Sequence, residues 1–406
     1  MDPGYSKKIA NVGLAGASIT GKDNVGALAG YTSYTSIANS YVTTDSSVTG
    51  NSNVGGLVGN AGSIANSYAA ANVTGVSNVG GLAGKLRGFV QTSYATGNVT
   101  GTGDNVGGLA GYVYTFGAIQ KSYASGTVTG KGKVGGLVGN LNAAQGDAGI
   151  HDSYATGSVT GTGADDSDYV GGLAGYVNGS GIFRSYSTGL VSGKFVAGLV
   201  GGGNLNSLKV SSNYWNTETS GVTESWKGFG AVPDMSGMTG LTTAQMKEAV
   251  RYSTWDTTAV WYLNGGQTAP LLRSFLTPLI VSAESATKVY DGNATAALNN
   301  VTPYDDSKVG GALAWSGKDV GSHGLTGLYT TSQQGYIISY DNAVNLTITP
   351  KTLTAGLTGT VEKVYDRTTT ATLSGENYNA LTGILGGDAV SLSIATSGSY
   401  ADKNVG

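Results

Sequence analysis

Apolar positions in the first 214 residues come in short runs of two to five, cut by Gly, Asn and Ser, and no run holds the 3.6-residue helical period. One run recurs as NVGALAG (24–30), NVGGLVG (53–59), NVGGLAG (78–84), NVGGLAG (105–111), KVGGLVG (133–139), YVGGLAG (169–175) and FVAGLVG (195–201), with a clipped NVGLAG at 11–16. After each full block comes an aliphatic residue and, four positions later, a tyrosine: Ile37/Tyr41, Ile64/Tyr68, Val90/Tyr94, Ile119/Tyr123, Ile150/Tyr154, Ile182/Tyr186 and Val210/Tyr214. Serine precedes the tyrosine in six of these, and Asn213 takes its place in the last. A third piece, VTG, follows at Val48, Val73, Val99, Val128 and Val159, with VSG at Val191 and an earlier ITG at Ile19.

The unit therefore has three short β-like pieces, rich in Val, Ile, Tyr and Thr and bounded by turn residues. A piece this short buries no core alone, but stacked copies pair each strand with its equivalent above and below. The expectation is an all-β chain built on a parallel β-helix of about seven three-strand coils, roughly 34 Å long at ~4.8 Å per coil. The aliphatic residue, the VTG valine and part of the glycine block should point inward. The residue midway between aliphatic and tyrosine is Asn39, Asn66, Thr92, Lys121, Asp152, Arg184 or Ser212. Charged members of that set do not belong in a dry core, so a corner is expected there. Glycine suits positive φ or close backbone approach at the turns. Insertions concentrate in two loops, 140–149 (NLNAAQGDAG) and 161–169 (GTGADDSDY), which should lie at the surface.

The pattern stops after YWNTETSG (214–221). Residues 215–277 read as a cap and connector, with one helix signal in TTAQMKEAV (242–250). Thr242 and Gln245 fit a capping box, and Met246, Ala249 and Val250 share a helical face. A longer repeat then begins: KVYDGNATAAL (288–298) matches KVYDRTTTATL (363–373), and LTPLIVSA (276–283) matches ITPKTLTA (348–355). Two small β domains are expected, at 278–349 and 350–406, after a solenoid over 1–214. The second is shorter than the first, so the chain is expected to be a piece of a longer polypeptide.

Composition narrows the classes. Among 406 residues there are 68 glycines but no strict every-third spacing, which excludes collagen. Charged residues make up 12 % and the formal net charge is -3, with no basic run to attract nucleic acid. Cysteine is absent, so there is no disulfide staple or thiolate metal site. The start, MDPGYSKKIANVG, has no apolar core of about 7–15 residues, so no signal peptide is expected, nor is any transmembrane helix.

Candidate chemistry is sparse. VGGLVG lacks the GxGxxG order and precedes no helix, so it reads as architecture rather than a phosphate loop. Asp165, Asp166 and Asp168 could be a solvated turn, a cation site or a catalytic cluster, and no basic partner is evident nearby. The tyrosine column could stack sugars or form a structural ladder, with Tyr68 between Tyr41 and Tyr94; the ladder is the favoured reading. The threonine column of Thr74, Thr100, Thr129 and Thr160 could order water only weakly, with one threonine per coil. His151 and His323 read as isolated surface residues. No catalytic, cofactor-binding or metal-ligating residue is assigned, and no cofactor is expected.

The VGGL(V/A)G…SYATG…VTG units resemble the GLUG motif, and the KVYDG units are similar to YDG-type domains. NYWNTETSG, then GLTTAQM, WDTTAVW and GGQTAPLLRSFL, looks like the segment that follows GLUG arrays. The combination resembles large secreted bacterial proteins of the filamentous haemagglutinin type, exported by two-partner secretion. That resemblance implies a right-handed β-helical shaft and a non-enzymatic extracellular or cell-surface adhesin, with a host-surface glycan or protein, or another bacterial surface, as partner. GLUG motifs also occur in immunoglobulin-cleaving metalloproteases, whose zinc-binding HExxH is missing from this sequence. The alternatives are a carbohydrate-binding or carbohydrate-active β-helix protein and a passive structural stalk.

Overall fold

The computed structural model describes residues 7–143, 148–204, 208–230 and 236–405. These fall into two compact units: the chain through Leu276 with Ser332–Gly335, and Thr277–Thr331 with the chain from Tyr336 onward.

The first unit is a parallel β-solenoid of about eight turns. The turn beyond the seven expected comes from the two ends. At the start, Gly13–Leu14 and Ser18–Thr20 pair with Tyr41–Val42 and Ser47–Thr49. At the far end, Met238–Leu241 pairs with Asn213–Asn216. Copies stack in register, as in Tyr68↔Tyr94 and Val73↔Val99, so identical side chains form columns.

Each coil holds more than the three expected strands. One coil runs through Ser77–Gly80, Ala83–Leu86, Phe89–Gln91, Tyr94–Ala95 and Val99–Gly101, five short strands shared among four sheets. The glycine block bends at its centre and enters two sheets, which the one-dimensional pattern read as one piece. The second half of the block and the aliphatic strand share a wide sheet of 13 strands. Inside the coil, Val79, Leu82, Ala83, Leu86, Val90, Ala95 and Val99 are buried, so the aliphatic, VTG and block positions point inward as expected.

Two devices turn the coil. The residue midway between aliphatic and tyrosine is a left-handed corner in every copy, with φ between 47° and 55° at Asn39, Asn66, Thr92, Lys121, Asp152, Arg184 and Ser212. The asparagine opening the early blocks does the same, with φ between 51° and 62° at Asn24, Asn53, Asn78 and Asn105. Their amides form a ladder: Asn53 Nδ2 donates to Asn24 Oδ1 (2.9 Å), Asn78 to Asn53 (2.9 Å) and Asn105 to Asn78 (2.8 Å). Of the two roles expected of block glycines, close approach is the one realised. A Cβ on Gly56 would stand 2.2 Å from the Gly81 carbonyl oxygen of the next coil. One on Gly84 would stand 2.3 Å from the Asn53 carbonyl carbon.

The serine before each tyrosine is fully enclosed, and its hydroxyl links two backbone groups. Ser122 Oγ accepts from Ser93 N–H (3.2 Å) and donates to the Gln120 carbonyl (2.7 Å). The same arrangement recurs from Ser67 to Ser185. Asn213 replaces serine without loss: its Oδ1 accepts from Ser185 N–H (3.0 Å) and its Nδ2 donates to the Ile182 carbonyl (2.8 Å).

Beyond Tyr214 the chain closes the core and then crosses the tyrosine column. Trp215, Val222, Phe229 and Met238 join the solenoid interior. Tyr252, Trp255 and Trp261 pack with Tyr123, Tyr154 and Tyr186 in a second cluster. The expected capping box is made, with Thr242 N–H on Gln245 Oε1 (3.0 Å) and Gln245 N–H on Thr242 Oγ1 (3.2 Å). The expected helix is not: 242–250 yields two short 3₁₀ turns, Gln245–Lys247 and Ala249–Tyr252, divided by an extended Glu248. Met246 is buried, but Val250 is 75 % exposed. Packing on the tyrosines draws in Tyr252 and Trp255 instead, which a continuous helix would place elsewhere.

The second unit is a set of small sheets. Thr277–Val281 pairs parallel with Tyr336–Tyr340, Ala286–Val289 pairs parallel with Leu346–Thr349, and Val309–Trp315 pairs antiparallel with Leu325–Thr330. Val281, Trp315, Leu325, Leu346 and Ile348 form its core. Both KVYD copies make one lysine-centred turn. Lys288 Nζ reaches Asp291 Oδ1 (2.6 Å) and the Thr295 carbonyl (3.0 Å). Lys363 Nζ reaches Asp366 Oδ1 (2.8 Å) and the Thr368 carbonyl (2.9 Å).

Candidate binding face

The described glycine blocks leave no cradle for a phosphate, because neighbouring backbone, or the Trp215 ring at Gly198, already occupies the space beside each glycine. The acidic loop is also committed. Asp165 Oδ2 lies 3.5 Å from Lys131 Nζ, and Asp166 Oδ1 lies 3.0 Å from Lys194 Nζ. These lysines come from the preceding and following coils, so the basic partners that sequence proximity did not show are supplied by stacking. Asp168 is buried and turns back on its own loop, its Oδ2 accepting from Asp165 N–H (2.6 Å). The three carboxylates thus point three ways, and among the described residues no cluster of three metal-ligating side chains forms.

The other candidates are placed as follows. Residues 144–147 of the 140–149 loop lie outside the described residues. Asn140 is buried and extends the amide ladder, donating to Asn105 Oδ1 (3.0 Å). The His151 ring stacks on Phe183, centroids 5.0 Å apart. His323 sits in the second unit, with Nε2 2.6 Å from the Asp319 carbonyl. Thr74, Thr100, Thr129 and Thr160 form a single file along the VTG sheet.

The tyrosine column is the ladder it was read as. From Tyr41 to Tyr186 successive ring centroids are 4.7–5.1 Å apart and the planes diverge by 9° or less. Its later rungs are covered. Phe275 meets Tyr94 and Tyr123 edge-on, and Tyr186 OH donates to the Pro270 carbonyl (2.8 Å). Burial pushes the Tyr94 phenol up to about 12, and pushes Tyr154 and Tyr186 well above the ordinary value. Only the early end is open, where Tyr41 is 40 % exposed.

Near one end of that column, Asp152 is buried but fully partnered. Arg184 clamps it through Nε (2.7 Å) and Nη2 (2.8 Å), and Trp261 Nε1 donates to its Oδ1 (3.2 Å). This joins the solenoid corner to the segment lying over the tyrosines.

The outer face of the wide sheet is different. The residue directly after each glycine block lies there in one column in register, Tyr31↔Asn60, Asn60↔Lys85, Lys85↔Tyr112, Tyr112↔Asn140 and Asn140↔Tyr176, exposed at Tyr31, half-buried at Lys85, Tyr112 and Tyr176, and buried at Asn140. The rings of Tyr112 and Tyr114 lie parallel with centroids 5.7 Å apart. Lys85 Nζ stands 4.4 Å from the Tyr114 centroid and 5.5 Å from that of Tyr112. Lys133 Nζ stands 4.9 Å from Tyr176, and the Arg87 guanidinium 5.2 Å from Tyr34. Asn178 Nδ2 donates to Asn142 Oδ1 (3.0 Å), and Asn142 Nδ2 to the Tyr112 hydroxyl (3.2 Å). Tyr31 and Tyr34 are 61 % and 66 % exposed. Apart from Asn140 and Asn142, which belong to the 140–149 loop expected at the surface, none of these residues stood out in the sequence. The signal was present: aligned on the blocks, the next position reads Tyr, Asn, Lys, Tyr, Asn, Tyr, Gly, a variable place with large side chains beside a glycine-rich motif.

Comparison with known proteins agrees with the repeat reading. The model of the GLUG motif matches residues 102–129, a stretch holding the block at 105–111, Tyr123 and Val128. The model of the YDG domain matches residues 349–406. No curated protein matches the chain. A crystal structure from Bacteroides ovatus, of a protein provisionally named an immunoglobulin A1 protease, is similar at 19 % identity and a TM-score of 0.36, over 64 % of this chain and 75 % of that one. The chain carries a GLUG motif within an all-β solenoid, followed by a YDG domain.

Proposed function

We propose that this chain is the shaft of a secreted or cell-surface bacterial attachment protein, in the manner of the filamentous haemagglutinin type, and that it performs no catalysis. One observation carries the reading. The wide sheet displays large aromatic and cationic side chains outward, with Tyr31 and Tyr34 more than half exposed, while the solenoid core beneath is complete without them. Exposed rings of this size earn no folding stability, and they are the material of binding surfaces. The clustered acids Asp165 and Asp166 pair at the surface with Lys131 and Lys194, and Asp168 turns back on its own loop, which agrees with a shaft that does no chemistry. GLUG and YDG modules agree with a surface or secreted repeat protein. No helix among the described residues is long and apolar enough to cross a membrane. The partner is a host surface, through a glycan or protein, or another bacterial surface.

The test is attachment of the purified chain, immobilised on beads, to epithelial and bacterial cells. Saturable attachment is expected. Beads that stay bare would leave the passive stalk, and sugar release from a polysaccharide panel would establish the carbohydrate-active alternative.

A further inference from the structure

We propose that the wide-sheet face centred on Tyr112 binds an acidic polysaccharide laid along the solenoid axis. This rests on the attachment reading and names the chemistry of the partner.

Charge comes first. The column after the glycine blocks contains Lys85 but no acid from Tyr31 to Gly202. Lys133 and Arg87 stand beside it over Tyr176 and Tyr34. Among the described residues, neither Lys85 nor Lys133 is in an ion pair. The molecule as a whole is acidic, with a formal net charge of -3, so this local excess of cations runs against the average. A face of unpaired ammonium groups matches an anionic ligand.

Ring and amide chemistry narrows the anion. The C–H faces of pyranose rings pack on phenol surfaces, and hydroxyls pair with side-chain amides, here those of Asn142 and Asn178. A duplex nucleic acid would call for a dense basic stripe to neutralise successive phosphates, and the face has only scattered cations.

Period decides for a polymer. Measured along the axis, Lys85, in the column after the blocks, and Lys133, in the column that opens them, lie two rungs apart, and Tyr112 and Tyr176, both in the first column, lie two rungs apart one rung on. At ~4.8 Å per rung, both spacings are about 10 Å. Cation and ring therefore recur at the same axial interval in neighbouring columns, as charges and sugar rings recur along an extended acidic polysaccharide.

The experiment is calorimetric titration of the full chain with polygalacturonate, heparin, neutral dextran and single-stranded DNA, each at low and high salt. Binding of polygalacturonate, heparin or both is expected, weakening with salt, with dextran inert; the first two separate carboxylate from sulfate recognition. The double variant Lys85→Met/Lys133→Met removes both charges while keeping unbranched stems of similar length, and should weaken binding about tenfold or more. Tyr112→Ala/Tyr176→Ala should do at least the same, with the far-UV spectrum and thermal midpoint of both doubles near those of the parent. Lys85→Arg should retain binding. Equal binding of dextran, tighter binding of DNA than of either acidic polysaccharide, or unchanged affinity in both doubles would overturn the inference. Cell attachment measured on the same preparations separates the two levels. Attachment without acidic-polysaccharide binding sinks this inference alone, and absence of both sinks the attachment reading with it.

Discussion

At the scale of single residues, the solenoid depends on small groups with no spare room. Ser122 Oγ accepts a backbone N–H from one coil and donates to a carbonyl of its own. Ser122→Ala leaves the enclosed Ser93 N–H unpaired, while the Gln120 carbonyl keeps its bond from Thr92 N–H, and the expected loss is about 1–3 kcal/mol, read from denaturant midpoints. Ser122→Asn should recover much of it, because Asn213 fills the same place in the last copy. Recovery no better than alanine would mean that the Asn213 geometry belongs to the solenoid end. Gly81 tests close approach rather than conformation. A Cβ there would meet the Gly108 carbonyl oxygen at 2.2 Å and Ala95 Cβ at 2.8 Å, and backbone cannot swing aside. Gly81→Ala should cost about 1–3 kcal/mol or more in the same measurement. The glycine pattern was plain in the sequence, but its cause was not. Close approach involves residues 25–36 positions away, whereas positive φ is local. The corners show the opposite: Asn, Thr, Lys, Asp, Arg and Ser share one left-handed position, and their failure to fit a core strand already exposed the corner.

At the scale of elements, the tyrosine ladder links packing to pH. Stacked phenols covered by Trp255, Trp261 and Phe275 are held neutral. Burial pushes Tyr94 up to about 12, against about 10 in an unfolded chain, and Tyr123, Tyr154 and Tyr186 also rise. The folded state therefore holds these protons more tightly. Their contribution to stability is fully present below about pH 10 and is lost as pH rises through about 12. Urea melts should be level up to about pH 9 and then fall steeply, with tyrosinate absorbance appearing together with unfolding. Full tyrosinate absorbance in a still-folded protein would refute the coverage. Tyr186→Phe removes the bond to Pro270 and one of these protons, so it should lower stability by about 1 kcal/mol at neutral pH and make the alkaline decline shallower. The column itself was legible from the spacing of tyrosines. Its cover was not, since 242–250 carries a helix signal that packing on the column overrides.

At the scale of the whole solenoid, each coil touches only its neighbours, so stability should be a sum over coils and interfaces. Deleting residues 78–104 joins Ser77 to Asn105, whose φ of 62° matches the 51° of Asn78. The register Val79↔Val106 shows that this removes one complete turn. The shortened protein should fold, with a β-type far-UV spectrum and protease resistance like the parent. Deleting 78–91 instead leaves a part-turn and should give a protease-sensitive chain. Similar behaviour of the two deletions would refute coil-by-coil additivity.

The amino-acid order alone determined the stacked coil, its inward valines and isoleucines, the corner before each tyrosine and the tyrosine ladder. The reason is that equal residues at equal spacing bury apolar surface together only when the copies lie in register. The tertiary structure decided the rest: the glycine block split between two sheets, the aspartates 165 and 166 tied to lysines of flanking coils, the cover over the tyrosines, and the cation–ring face around Tyr112. Each of these depends on which side chains from different coils come within a few ångströms, and loops of unequal length hide that correspondence until the coils are stacked.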